Sequence, residues 1–198
     1  MSQIKDLGIE KLEPNNNDIL PIQQADGVTN HITRKNFLKG VFNNSSNSAF
    51  IQLLDKKPSG TNGGFAVTSQ WSTRIINTIQ YDDTGLVVLK NNLFKLPSGT
   101  YELEGDFTFY AMSDIKLRLQ NTTDDVTFLY GINAYFQAST NGAALQMPIK
   151  GKFTIEENKY LAIQYWAKPA SVISQYNFGG SVSDGSPEIY ALLNIKKI

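Results

Sequence analysis

The chain has 198 residues, 41% hydrophobic and 11% aromatic, enough for one large domain or for a domain with a small appendage. Lys and Arg number 18, as do Asp and Glu, and only 18% of residues are charged, so nothing draws the whole chain to nucleic acid or an anionic membrane. There is no cysteine, which excludes disulfides and thiolate metal sites.

The opening stretch MSQIKDLGIEKLEP lacks the apolar run of a secretory signal, and no window approaches the roughly 20 apolar residues of a membrane-spanning helix. The expectation is a soluble protein made in a cytoplasm, with no membrane insertion. Residues 1–42 read as a small attachment segment. Asp18–Ile22 and Val28–Ile32 flank Ala25-Asp26-Gly27, a hairpin signal, and Arg34–Lys39 reads as a short helix capped by Thr33 with Phe37 and Leu38 as its apolar contacts. Such a unit is too small to bury a core alone. The polar run Asn43–Ser48 reads as a linker, and residues 49–198 as the main domain.

From Ala49 on, the pattern is β. Ala49–Leu54 and Phe65–Ser69 read as strands around the turn-rich Lys57–Gly64. Trp71–Tyr81 alternates as one strand, with Trp71, Thr73, Ile75, Asn77, Ile79 and Tyr81 on one side. Asp82–Gly85 turns, Leu86–Leu89 is a short buried run, and Leu93–Leu96 leads through Pro97-Ser98-Gly99 into the central strand. There Tyr101, Leu103, Phe107 and Phe109 alternate with Glu102, Glu104, Asp106 and Thr108, and Gly105 marks a bulge or a close backbone approach. Ala111–Asp114 connects to a strand with Ile115, Leu117 and Leu119 inward. After the turn Asn121–Asp125, Val126, Phe128, Tyr130 and Ile132 form the next apolar face. Ala138–Gly142 is a loop, and Leu145–Ile155 a strand that Pro148 and Gly151 bend or confine to an edge. Tyr160–Lys168 is strongly β, Ala170–Pro187 is a long Gly- and Ser-rich loop, and Glu188–Ile198 closes the chain with Ile189, Ala191, Leu193 and Ile195 on one face. About ten strands at regular turn spacing make an all-β antiparallel sandwich or barrel.

Few residues point to chemistry. His31, the only histidine, sits in the appendage and reads as a surface or packing residue, with no Gly-x-Ser-x-Gly elsewhere to complete a triad. Glu102, Glu104 and Asp106 share one strand face. They read as a solvated face, or one paired to Lys116 and Arg118 on a neighbouring strand, ahead of a glycoside-cleaving carboxylate pair. Asp82-Asp83, Asp124-Asp125 and Asp184 lack the spacing of a calcium loop and read as turn formers. Neither a catalytic group, a metal site nor a cofactor is assigned. Trp71 and Trp166 offer ring faces for sugars, but on strands they read as core or inter-subunit rings. Tyr176 and Phe178, in the long loop, read as recognition aromatics or as rings folded onto a neighbouring subunit.

Two ordered sets of landmarks carry a resemblance. Phe94, Pro97, Gly99 and Tyr101, followed by an aromatic strand, an Ile-Lys-Leu-Arg-Leu strand, Gln137-Ala138-Ser139 and a closing tyrosine-bearing strand, resemble the jelly-roll head of the complement-globular-head and tumour-necrosis-factor superfamily. Trp71-Ser72-Thr73-Arg74, Arg118-Leu119-Gln120-Asn121, Gly179-Gly180 and Glu188-Ile189-Tyr190 resemble a C-terminal domain of phage tail fibre and appendage proteins, and residues 4–38 resemble their attachment segment. The resemblance implies an antiparallel jelly roll with a hairpin-plus-helix appendage. It implies a homotrimer on a virion that binds a host cell-surface glycan or protein without catalysis and without nucleic acid. Receptor contacts would lie on apical loops, at Met112, Ser113, Asp114, Gln137, Ser139, Thr140, Asn141, Tyr176, Asn177 and Phe178. Contacts to other tail, baseplate or capsid proteins would use Ile19, Leu20, Ile22, Ile32, Phe37 and Leu38. The alternative is a purely structural virion protein: a connector, baseplate component or capsid decoration. The connections Ala111–Asp114, Gln137–Asn141 and Lys168–Pro187 are expected at one end, with Tyr81–Gly85 and Asn121–Asp125 at the other.

Overall fold

In a computed structural model the described residues are 19–23, 29–33, 49–135, 144–169 and 174–198, the first two stretches as backbone alone. The chain divides into two units, residues 1–47 and 48–198. In the first, β1 (Ile19–Gln23) pairs antiparallel with β2 (Thr29–Thr33), with Leu20 opposite Ile32 and Pro21 opposite His31. This is the expected hairpin. The expected helix with Phe37 and Leu38, the linker Asn43–Ser48 and the loop Ala138–Gly142 lie outside the described residues.

The second unit is all-β among its described residues: β3 (Phe50–Lys57), β4 (Ser72–Thr73), β5 (Thr78–Asp82), β6 (Val88–Lys90), β7 (Leu93–Leu96), β8 (Gly99–Tyr110), β9 (Met112–Asn121), β10 (Val126–Ala134), β11 (Ala144–Ile155), β12 (Lys159–Pro169) and β13 (Glu188–Lys197). Sheet one has the order β11-β8-β13-β3-β5. Sheet two has the order β10-β9-β12-β7-β6, with β4 also on β12. Every pairing is antiparallel. The chain changes sheet at every connection from β3 to β13 except the hairpins β6–β7 and β9–β10, which is the winding of a jelly roll.

The core lies between the sheets. Tyr101, Leu103, Phe107 and Phe109 of β8 face Leu117, Leu119, Leu161, Ile163 and Tyr165 of sheet two, and all are buried. Burial of each such apolar side chain stabilises by about 1.5–3 kcal/mol. At Gly105 the close-approach alternative holds. A Cβ there would lie 2.8 Å from Leu193 Cδ1 and from a Phe107 ring carbon, and β8 keeps unbroken register with β11 and β13.

Several sequence expectations need correction. The stretch 71–81 is two short strands on different sheets. Trp71-Ser72-Thr73 lies on β12, Thr78–Asp82 lies on β3, and residues 74–77 cross between them, with Arg74 N bonded to Ile163 O of sheet two and Asn77 N to Leu54 O of sheet one. Phe65–Ser69 forms no strand. Leu86 and Val88 are exposed, not buried. Tyr130 is not core: irregularities between Thr127 and Leu129 and between Tyr130 and Asn133 rotate β10, so Val126, Tyr130 and Ile132 face solvent and Leu129 packs on the core. β11 runs unbroken through Pro148 and Gly151 and is an edge strand, where proline is tolerated. An irregularity between Ile189 and Ala191 turns Ile189 out and Tyr190 in. The acidic row of β8 faces Lys150 and Lys152 of β11 and Lys196 of β13, because Lys116 and Arg118 belong to the other sheet.

Candidate recognition surface at the far end

Register fixes which loops meet. Tyr110 lies opposite Ala144, Met112 opposite Pro169 and Glu188 opposite Lys57. The connections β3–β4, β8–β9, β10–β11 and β12–β13 therefore leave the sandwich at one end. The turns at Asp83–Gly85 and Thr122–Asp125 lie at the other. This agrees with the partition that the resemblance implies, except that Gln137–Asn141 lies outside the described residues.

At the far end two segments are bonded into one platform. Gly63 N donates to Gly179 O at 2.8 Å and Gly64 N to Gln175 O at 2.8 Å. Ser181 N donates to Asn62 Oδ1 and Gly185 N to Ser59 Oγ. The backbones touch so closely that a Cβ on Gly63 would lie 2.5 Å from the carbonyl carbon of Phe178. Lys57 Nζ donates to the carbonyls of Asn62 and Gly63 and sits over the Tyr190 ring, while Tyr190 Oη donates to Thr61 O.

Glu188, at the start of β13, is the electrostatic hub. Its buried carboxylate accepts from Gly60 N at 3.0 Å, Val182 N at 3.1 Å and Ser183 N at 2.9 Å. The amides of Ser183, Val182 and Gly60, in that order of effect, hold its carboxyl below the usual range. A carboxylate so held is a poor general acid, since it keeps its charge at neutral pH.

Beside this hub a groove of about 440 Å³ runs from Thr108, Tyr110 and Ala144 to Gly180, Val182 and Ile189. Val182 and Ile189 are exposed along it, and Asp184, which accepts from Ser186, supplies a negative charge. A larger hollow of about 600 Å³ lies on the outer face of sheet one among Glu102, Glu104, Lys150, Lys152 and Lys196, whose charges largely offset one another. The far-end groove is lined by fewer charged side chains, Asp184 and Glu188 alone, and is framed by a loop on a rigid scaffold, the usual setting of recognition.

The residues expected to contact a receptor divide into three groups. Tyr176 is exposed, and Ser113 and Asp114 are partly so, with Asp114 paired to Lys168 at 3.3 Å. Met112, Asn177 and Phe178 are buried and serve the platform from below, so they are no contact residues. β9 begins at Met112, because the expected four-residue connection shrinks to Ala111, whose φ is 53°. Asn177 Oδ1 accepts from Ala66 N and Ser174 N, and its carbonyl accepts from Tyr110 N. Phe178 packs against Phe109, Tyr165 and Arg74. Gln137, Ser139, Thr140 and Asn141 lie outside the described residues, as do the side chains of Ile19, Leu20, Ile22 and Ile32. Val182, Glu188, Ile189 and the segment 57–64 were missed. The available signal was the pair of Gly-Gly steps, Gly63-Gly64 and Gly179-Gly180, which meet here.

The turn aspartates are spent locally. Asp82 accepts from Thr84 and Val87, and Asp124 accepts from Asn121 and pairs with Lys159 at 3.0 Å. Among the described residues no group of three or more His, Cys, Asp or Glu is placed to hold a metal ion, and no helix is long and apolar enough to cross a membrane.

No protein-family model matches the sequence, and no curated protein sequence does. Among solved structures, murine APRIL at pH 5.0 is similar at 11% identity and a TM-score of 0.48, over 76% of this chain and 99% of that one. The globular domain of zebrafish complement 1qA is similar at 16% identity and a TM-score of 0.44, over 76% of this chain and 97% of that one. Likenesses this distant carry no statement about function, and the fold assignment rests on the strand order itself.

Proposed function

We propose that the chain is a non-enzymatic, homotrimeric virion protein, a phage tail fibre or other external appendage made in the host cytoplasm. Its 49–198 unit binds a host cell-surface receptor, glycan or protein, through the far-end loops, and residues 1–42 dock on other virion proteins. The observation that carries this reading is the far-end platform, in which the β3–β4 and β12–β13 segments are cross-bonded beside an exposed groove. A held surface of this kind limits the ordering cost of binding. Self-association is supported by β10, an uncharged edge strand that exposes Ile132 at 64%, with Tyr135 just beyond it at 71%. Three copies would turn weak single sites into avid attachment.

Light scattering tests the assembly. A mass near three times 22.0 kDa is expected, and Ile132→Glu should lower it. A full chain that stays monomeric at about micromolar concentration would remove the trimer. Val182→Asp, in the groove, and Tyr176→Ala, on the exposed loop beside it, test the far-end surface. Assembled particles that no longer adsorb to host cells are the expected result. Particles that fail to assemble would favour the alternative, a connector, baseplate component or capsid decoration.

A further inference from the structure

The outer face of sheet two carries a pattern that the far-end reading does not use. Register sets Tyr130 opposite Arg118, Arg118 opposite Gln164 and Gln164 opposite Thr73. The adjacent row places Asn133 opposite Lys116 and Lys116 opposite Trp166, with Trp71 beside Trp166 just before β4. The alternate residues Leu117, Ile163 and Tyr165 point into the core and are buried, so both rows face outward. The two tryptophans are the only ones in the chain. They meet edge to face with centroids 6.2 Å apart, and both remain partly exposed.

We infer that this face, centred on Trp71, Trp166, Lys116 and Arg118, is a binding site for an acidic glycan, one whose sugar rings carry carboxylates. Indole rings offer flat apolar surface to the C–H face of a pyranose. Planar side chains beside them, Gln164 and Asn133, match sugar hydroxyls as donors and acceptors. Arg118 is already aligned. Its Cζ lies 4.3 Å from the Trp71 ring centroid, Nε donates to Gln164 Oε1 at 2.8 Å and Nη1 to Thr127 Oγ1 at 3.3 Å. Nη2 has no hydrogen-bond partner among the described residues. Lys116 reaches over the Tyr130 ring, with Nζ 4.9 Å from its centroid. Neither cation forms an ion pair with a described acid. The pairs lie elsewhere, at Asp55, Glu104, Asp114, Asp124 and Glu157. The face is thus locally cationic on a chain of zero net charge, and guanidinium is suited to bidentate pairing with a carboxylate. Two cations are too few to follow a phosphate backbone, which separates this face from a single-stranded nucleic-acid groove. The site lies on a different surface from the far-end groove and does not depend on it.

Because both tryptophans lie in the site, their fluorescence in the full chain reports on it alone. The probe is a short oligogalacturonate, set against a neutral dextran oligomer and a single-stranded oligonucleotide. A saturable emission change with oligogalacturonate is expected, weakened at least tenfold in Lys116→Gln and in Arg118→Gln and unaltered in the far-end variant Tyr176→Ala. Lys116→Gln removes no hydrogen bond to the sheet, so it keeps the test valid if Arg118→Gln folds poorly. The inference is overturned by no change up to about 10 mM oligogalacturonate. It is overturned equally by a stronger response to the oligonucleotide or dextran, or by an emission change that follows protein concentration alone.

Discussion

Arg74→Met is the most informative single substitution in this fold. Arg74 Nη1 and Asp55 Oδ2 are 2.8 Å apart with both side chains fully buried, and Arg74 Nη2 donates to Tyr190 O at 3.1 Å. The guanidinium also stacks 3.8 Å from the Phe178 ring centroid. The pair is incompletely satisfied, since Asp55 Oδ1 and Arg74 Nε have no hydrogen-bond partner. Removing one partner of a dry ion pair costs about 3–5 kcal/mol, because the other charge is left uncompensated. For a domain of this size that is a loss of about 6–20 °C in Tm, taking about 2–4 °C per kcal/mol. Burial pushes the Asp55 carboxyl above its usual range, and Arg74 opposes that shift. With Arg74 gone, folded Asp55 binds its proton more tightly than unfolded Asp55 does. The deficit should therefore shrink as pH falls through the raised folded value toward about 3.9, the unfolded value. Urea titration at fixed protein concentration, from neutral to mildly acidic pH, measures both effects. Adding Asp55→Leu should recover at least about 2 kcal/mol of the summed single losses, since an apolar pair needs no charge compensation. A loss below about 1 kcal/mol in Arg74→Met, or additive single and double losses, would refute the buried-pair argument.

Three further outcomes follow from the same structure. Glu188→Gln should remove a pH-dependent part of stability: the wild-type contribution is present above about 4.3, the unfolded value, and is lost as pH falls through the depressed folded value. Urea midpoints at pH 7 and in acid, compared between the two proteins, test it, and an identical pH dependence contradicts it. Gly63→Ala drives a Cβ into the backbone of Phe178 and Gly179 and should cost about 1–3 kcal/mol with no change in the slope of the urea transition, whereas an unchanged midpoint would show that the segments part freely. Glu104→Gln removes an exposed pair, Lys150 Nζ to Glu104 Oε1 at 3.8 Å, and should shift stability by less than about 0.5 kcal/mol in a thermal melt. A larger loss would mean that the acidic row of β8 has a role beyond solvation.

The elements that were legible in the sequence are those with uninterrupted period two. β8 keeps a regular face throughout, and β9 does so from Ile115 to Leu119 and β12 from Ile163 to Ala167, on either side of which their faces lose the alternation. Periodicity fails where the chain leaves its sheet or slips by a residue. Trp71–Tyr81 alternates as well as β8 does, yet a crossing through the sandwich preserves alternation while exchanging hydrogen-bond partners, so the sequence carries no mark of it. An arginine at an inward position reads as evidence for an outward one, and only the buried Asp55 reverses that inference. The irregularities in β10 and β13 put Tyr130 and Ile189 outside and Leu129 and Tyr190 inside for the same reason. At the candidate site, it was the topology implied by the resemblance that grouped the loops at one end. The role of Glu188 depends on three backbone amides, which side-chain chemistry does not announce.

The core and the far-end surface are one mechanical unit. Arg74 crosses between the sheets at the level where Phe178 enters the core, and it bonds to the carbonyl of Tyr190, whose ring lies under Lys57 and whose hydroxyl holds Thr61. Phe178 precedes Gly179, and Gly179 O accepts from Gly63 N. A charge buried in the sandwich thus fixes two points from which the platform is built. The buried pair thus has a use other than stability, since an apolar replacement of both partners restores packing but not the bond to Tyr190 O. The double variant Asp55→Leu with Arg74→Met should then be as stable as the parent to within about 1–2 kcal/mol while the amides of Gly63 and Gly64 exchange faster with solvent. Recovery of stability together with unchanged exchange at those amides would separate the core from the surface and leave the platform to its own hydrogen bonds.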